Sequence, residues 1–246
     1  MPISLKRPAC ALAAAMLCAA AFAQQPAPAD KARKLRESIQ SRTQGKVPVD
    51  AIATTPIPGI YQVASDGEVF YTDETGRYSF VSASLIDMET QKDLTAPVIE
   101  KLHAVDFKSL PLQYAVKEVH GKGTRRIAVF EDPNCPICRV FTKFLDQVDD
   151  VTIYRFMYPV IDPKSEGLAR IAWCSKDRAA AWKDIMNGAR PQGSDTCDTS
   201  GLTATLALGE KHRIQNTPTV ILASGKRLVG ATPPEQFLQE LEAGGR

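Results

Sequence analysis

The spacing of apolar residues along the chain changes several times, and each change marks an element or a boundary. An apolar run from Ala9 to Phe22 comes first, preceded by Lys6 and Arg7 and closed by the small residues of Ala21-Phe22-Ala23. A basic start, a short apolar core and a small-residue end form the layout of a removable export signal over 1–23, with cleavage after Ala23. The run is too short and too rich in alanine for a membrane-spanning helix.

Beyond it, Leu35 and Ile39 stand at helical spacing and predict a short amphipathic helix over Asp30–Ile39. After the break at Pro56-Ile57-Pro58-Gly59 the pattern turns to strands at Ile60–Val63, Glu68–Tyr71 and Tyr78–Val81, with turns at Asp66-Gly67 and Thr75-Gly76. So small an antiparallel sheet is marginal alone and gains from a partner subunit. Leu94, Val98, Leu102 and Val105 then follow a helical period, with Thr95 as N-cap and Pro97 tolerated in the first turn. This reads as a linker helix.

From Tyr114 the chain alternates strand and helix. Strands are predicted at Ile127–Glu131 and Val151–Tyr158, with a helical run to Val148 between them. An alanine-rich helical stretch covers Lys164–Met186, broken near Cys174-Ser175, and another covers Leu202–Lys211. Thr219–Ala223 and Arg227–Val229 read as a hairpin about Ser224-Gly225, and Pro233-Pro234 open a last helix through Leu241. The fold class is α+β: a β-rich unit over 24–91, a linker helix over 92–113, and an α/β domain over 114–246 with a helical insertion at about 160–212.

Charge narrows the function. Removal of 1–23 takes Lys6 and Arg7 from 30 basic residues, leaving 28 against 28 acidic ones. A chain so close to neutral, without a basic stripe, gives no footing for nucleic acid. Of six cysteines, Cys10 and Cys18 go with the signal, and the remaining four allow three connectivities.

Two of those four carry the chemistry. Cys135-Pro136-Ile137-Cys138 stands where an apolar strand gives way to a helix. A first cysteine there meets unpaired backbone N–H groups and the positive end of the helix dipole, which favour its thiolate, the form that attacks disulfides. Ile137 offers neither hydrogen bond nor charge, so the helix end must do this work. Zinc would need two further soft ligands; Cys174 and Cys197 lack the spacing, and His103, His120 and His212 are scattered. No metal and no cofactor are expected. Glu131, just before the redox loop, is a candidate proton relay for Cys138, although strand alternation allows it to face solvent. Asp132 and Asn134 are expected to shape the turn, and Trp173, Trp182, Phe130, Phe141 and Phe144 to lie in the core.

Taken in order, the export signal, the small β-rich unit, the linker helix, Phe130-Glu131-Asp132-Pro133-Asn134-Cys135-Pro136-Ile137-Cys138, the Trp173-Cys174 pair and Asn216-Thr217-Pro218-Thr219 resemble the periplasmic DsbC/DsbG family of thiol:disulfide interchange proteins. The resemblance implies a cystatin-like dimerisation domain and a thioredoxin-like catalytic domain. It implies an exposed attacking Cys135 and a buried resolving Cys138. Thr217 and Pro218, the latter in a cis bond, would hold substrate together with Pro136 and Ile137, and Cys174–Cys197 would be a structural disulfide. It further implies a periplasmic homodimer that acts on misfolded disulfide-containing exported proteins and is kept reduced by a DsbD-type membrane reductase. Pro136-Ile137 departs from the Gly-Tyr typical of DsbC and shares only the proline with the Pro-Tyr of DsbG. Three other readings remain: a DsbG-like reductase of sulfenylated cysteines, a dimeric holdase chaperone whose thiols are dispensable, and a specialised oxidase or metal-stress thiol protein found oxidised in the cell.

Overall fold

The computed structural model describes residues 25–189 and 192–246; the expected export signal lies outside them. The chain forms two compact units that divide between Ala83 and Ser84. None of the described helices is long and apolar enough to cross a membrane.

In the first unit, helix α1 (Ala29–Arg42) precedes strands β1 (Ala51–Thr54), β2 (Ile60–Ser65), β3 (Glu68–Asp73) and β4 (Ser79–Phe80). They form an antiparallel sheet in chain order. Leu35 and Ile39, one turn apart on α1, pack with Val49, Ile52, Val63 and Phe70 as their spacing predicts. Sequence periodicity misses β1, which has only four residues and pairs with β2 from Ala51↔Ala64 to Thr54↔Tyr61. At the far edge, Tyr78, Phe80 and Val81 are each at least 60% exposed.

The second unit opens with a two-stranded hairpin, β5 (Ile86–Asp87) and β6 (Lys92–Asp93), and helix α2 (Ala96–His103). Thr95 occupies the N-cap position of α2 but its side chain does not cap the helix. Its hydroxyl instead accepts the N–H of Leu85, and the Asp93 carboxylate takes the N–H groups of Thr95 and Ala96. An Asp two residues upstream thus replaces the expected cap, because the hairpin brings Leu85 to the threonine.

Five strands build the main sheet in the order β11-β10-β8-β9-β7: β7 (Val116–His120), β8 (Arg125–Glu131), β9 (Val151–Met157), β10 (Thr219–Leu222) and β11 (Arg227–Val229). Only β8 and β9 run parallel, joined by helix α3 (Pro136–Leu145). Central β8 is covered on both faces, so its buried run is continuous rather than alternating. Ile127 and Val129 pack under α3 and the last helix, α7 (Pro234–Gly244), while Ala128 and Phe130 pack on the other face. There Phe130 stacks on Phe156 at 4.7 Å. Edge strand β7 escaped sequence reading because Lys117 and Val119 are exposed and two of its inward positions are Glu118 and His120, which leaves almost no apolar period.

The helical insertion comprises α4 (Pro163–Cys174), α5 (Arg178–Met186) and α6 (Ser200–Lys211), with the break at Ser175 where it was expected. Trp173 and Trp182 are buried with Ala169, Ala172, Ile185, Met186 and both redox cysteines.

Candidate active site

The redox loop is built by the junction of β8 and α3. Helix α3 presents Cys138, Phe141, Thr142 and Leu145 to the interior, positions one turn and two turns apart. Pro136 starts the helix where its missing N–H is harmless, and Cys135 is the N-cap. The turn before it is tied by Asp132, a fully buried carboxylate. Its Oδ1 accepts the Asn134 N–H at 2.7 Å and the Ser165 hydroxyl at 2.8 Å; its Oδ2 accepts the N–H groups of Val160 and Ile161 at 2.7 and 2.9 Å. Asp132 and Asn134 shape the turn as expected, and Asp132 also fastens it to the loop after β9.

Cys135 Sγ accepts the Cys138 N–H at 3.2 Å and lies 3.4 Å from the Thr217 carbonyl, to which its thiol donates. Thr217-Pro218 is a cis peptide bond. The Pro218 carbonyl accepts the Gly230 N–H at 2.8 Å. The resemblance implied an exposed Cys135, but the residue is only 3% exposed. The sulfur turns inward to reach the helix N–H and the Thr217 carbonyl, while Pro136 and Ile137 face solvent. Cys138 is wholly buried, and both thiols are free. Burial pushes the Cys138 thiol up, and its contact with Cys135 pushes it further; the Glu131 charge adds a smaller push in the same direction.

Glu131 does not face solvent. On a strand covered on both sides, alternation with Ile127 and Val129 sends it under α3, where it is fully buried. There Arg155 donates from one Nη to both carboxylate oxygens at 3.0 and 3.1 Å, the Trp182 indole N–H donates to Oε1 at 2.5 Å, and the Thr142 hydroxyl lies 3.4 Å from Oε2. Arg155 is itself only 1% exposed and also donates to Glu118 at 2.9 Å. Burial alone would lower the guanidinium, but the charges of Glu131 and Glu118 hold it protonated and raise it. An unpaired charge this deep would cost several kcal/mol, so each member of the trio requires the others. Sequence reading missed Arg155, Thr142 and the indole N–H. The available signal was a lone arginine in the strand Val151-Thr152-Ile153-Tyr154-Arg155-Phe156-Met157, where every neighbour is apolar or β-branched.

Cys174, which packs against the same buried cluster as these thiols, forms a disulfide with Cys197, their Cα atoms 5.5 Å apart. The Trp173 indole N–H donates to the Asp198 carbonyl at 2.9 Å beside it, and the Arg178 guanidinium lies over the Trp173 ring. Trp173 and Trp182 are core residues as predicted, with polar tips that find partners.

Comparison with known proteins agrees with this geometry. Residues 112–245 match the model of the thioredoxin-like domain, and residues 19–96 match that of the disulfide bond isomerase protein N-terminal domain. The chain is 39% identical over 212 residues to a probable thiol:disulfide interchange protein DsbC of Bordetella pertussis, covering 86% of this chain and 74% of that one. It is 26% identical over 205 residues to the thiol:disulfide interchange protein DsbC of Escherichia coli K12, covering 78% and 80%. A crystal structure of a disulfide interchange protein from Neisseria gonorrhoeae superposes with a TM-score of 0.52 at 35% identity, over 56% of this chain and 99% of that one. Two free thiols at a helix start on a thioredoxin-like sheet, with a matching N-terminal domain earlier in the sequence and 39% identity to a DsbC protein, place the chain in the DsbC family of thiol:disulfide interchange proteins, enzymes of the thiol–disulfide oxidoreductase and isomerase class.

Proposed function

We propose that this protein is a periplasmic, homodimeric disulfide isomerase and reductase in which Cys135 attacks and Cys138 resolves. The observation that carries the assignment is the Cys138 N–H aimed at Cys135 Sγ at 3.2 Å, a donor directed at the sulfur that bears negative charge during exchange. Cys135 thiolate displaces one sulfur of a substrate disulfide, forming a mixed disulfide and freeing a substrate thiolate, which takes up a proton. That thiol can attack another bond of the substrate and regenerate Cys135. Alternatively Cys138 loses its proton and attacks Cys135 Sγ, releasing reduced substrate and an oxidised enzyme.

The raised Cys138 thiol supports the isomerase branch, because a resolving sulfur that stays protonated lengthens the life of the mixed disulfide. For Glu131, relay of the Cys138 proton and a fixed charge that keeps Cys138 protonated are separable roles. Its carboxylate is held by Arg155 and Trp182, which supports the fixed charge. Thr217, Pro218, Pro136 and Ile137 frame the sulfur, and we assign them to the substrate chain. For dimerisation, support comes from the matching N-terminal domain and the exposed apolar edge at Tyr78, Phe80 and Val81. Substrates would be misfolded exported proteins with wrong disulfides, and a DsbD-type membrane reductase would keep the thiols reduced.

The test is acid-quenched alkylation in the periplasm with mass mapping of the four mature cysteines. Cys135 and Cys138 free, with Cys174 and Cys197 bonded, is the expected result. Cys135 and Cys138 mostly joined would replace this reading with that of an oxidase.

A further inference from the structure

We propose that Glu118, His120 and Asp146 form a binding site for a first-row divalent cation of the zinc class, at the opposite end of α3 from the thiols. Glu118 and His120 stand two apart on β7 and so share a face, and Asp146 is the residue that caps the C-terminal end of α3. One donor atom from each lies within 4.8 Å of the other two. Glu118 and His120 are half-buried and Asp146 is exposed, with His120 Nε2 at 3.8 Å from Glu118 Oε2.

Each of the three is oriented by a group outside the cluster. His120 Nδ1 lies 3.0 Å from the Val148 carbonyl. A carbonyl only accepts, so Nδ1 donates there and Nε2 is the nitrogen left on the side of Glu118. Glu118 gives Oε1 to Arg155 Nε at 2.9 Å and turns Oε2 to His120. Asp146 gives Oδ1 to Lys183 Nζ at 2.9 Å. A histidine whose second nitrogen donates to a backbone carbonyl, with carboxylates that are themselves hydrogen-bonded, is the outer-shell arrangement that orients metal ligands.

A cation held between Nε2 and Oε2 would take a lone pair from each, and Asp146 brings a third donor within 4.8 Å of both. One imidazole nitrogen with two carboxylate oxygens suits zinc and its neighbours better than calcium or magnesium, which take oxygen alone. The redox thiols take no part, since Asp146 lies about 16 Å along the helix from Cys135 at 1.5 Å per residue.

Zinc is titrated calorimetrically into untagged protein whose Cys135 and Cys138 are joined as a disulfide, which removes competing thiolates. One ion per chain is expected, with binding weakened by about tenfold or more in His120→Gln and in Asp146→Asn. Wild-type protein supplies a second readout independent of how the variants fold: in imidazole nitrogen spectra, zinc should move His120 Nε2 and leave His103 and His212 in place. Absence of saturable binding, binding unchanged in both variants, or a zinc shift at another histidine overturns the site. His120 then makes only its contacts with Val148 and Glu118.

Discussion

The two cysteine pairs of this chain contrast within one folding unit. Cys135 and Cys138 are both buried and unbonded, whereas Cys174 is half-buried, Cys197 is exposed, and the two are joined. Burial therefore does not sort structural from reactive sulfur. Surroundings do: the free pair stands at a helix start with an N–H on one sulfur, a backbone carbonyl beside it and a buried ion trio behind the other. The bonded pair ties the end of α4 to the stretch before α6, where the contact of Trp173 with Asp198 and the cover of Arg178 hold the same junction. One pair leaves its sulfurs unbonded, and the other closes a loop.

The largest effect expected from breaking this contrast is on the first pair. Cys135→Ser should abolish recovery of activity by a scrambled disulfide protein while leaving thermal stability within about 1 kcal/mol. Cys138→Ser should accumulate the mixed disulfide, visible on a non-reducing gel. A Cys135→Ser enzyme that still unscrambles substrate would remove the distinction between the pairs.

Next in size is the double variant Cys174→Ser, Cys197→Ser. With the two cysteines 23 positions apart in sequence, the chain-entropy model gives a loss of about 3.5 kcal/mol in denaturant unfolding. Exchange by the folded fraction should persist. Loss of exchange in fully folded protein would mean that the second pair also reacts.

A several-fold effect is expected at Glu131→Gln, and its sign separates the two roles proposed for the carboxylate. If the fixed charge holds Cys138 protonated, its removal beside Arg155 lets Cys138 ionise more readily, and the trapped mixed disulfide should decay faster. Slower decay would make Glu131 the proton relay. Quenched-flow measurement of the mixed-disulfide lifetime decides between them.

The smallest effect concerns the bonded region. The Ser200 backbone N–H, and then its hydroxyl, hold Asp198 below the ordinary value of 3.8. A carboxylate lowered in the folded state contributes stability that is fully present above its unfolded value and is lost as pH falls through the folded one. Below about pH 4 the wild type should therefore lose a small increment that Asp198→Asn never has. Parallel acid melts of the two proteins would show this, and identical slopes would remove Asp198 from the account.

Much of the second unit was legible because its signals are local. The β8 run, the helical face of Cys138, Phe141, Thr142 and Leu145, and the Ser224-Gly225 hairpin are each set by residues within a few positions of one another. Strands β7 and β1 were not, since one is an edge with polar inward positions and the other is only four residues long. The Thr95 cap illustrates a different failure. Its residue type was suitable, yet the Leu85 N–H competed for the hydroxyl and Asp93 took over the helix end.

By itself the sequence determined the order of elements, the placement of two thiols at a helix start and the prospect of a second cysteine pair, because period, turn chemistry and short spacing act along the chain. Tertiary structure alone decided that Cys135 is covered, that Glu131 is paired with Arg155 and not solvated, and that His120 meets Glu118 and Asp146. Those contacts join residues as many as 82 positions apart, as between Cys135 and Thr217. They depend on which strands neighbour one another and in what register, and buried charge makes such partners obligatory without naming them in the local pattern.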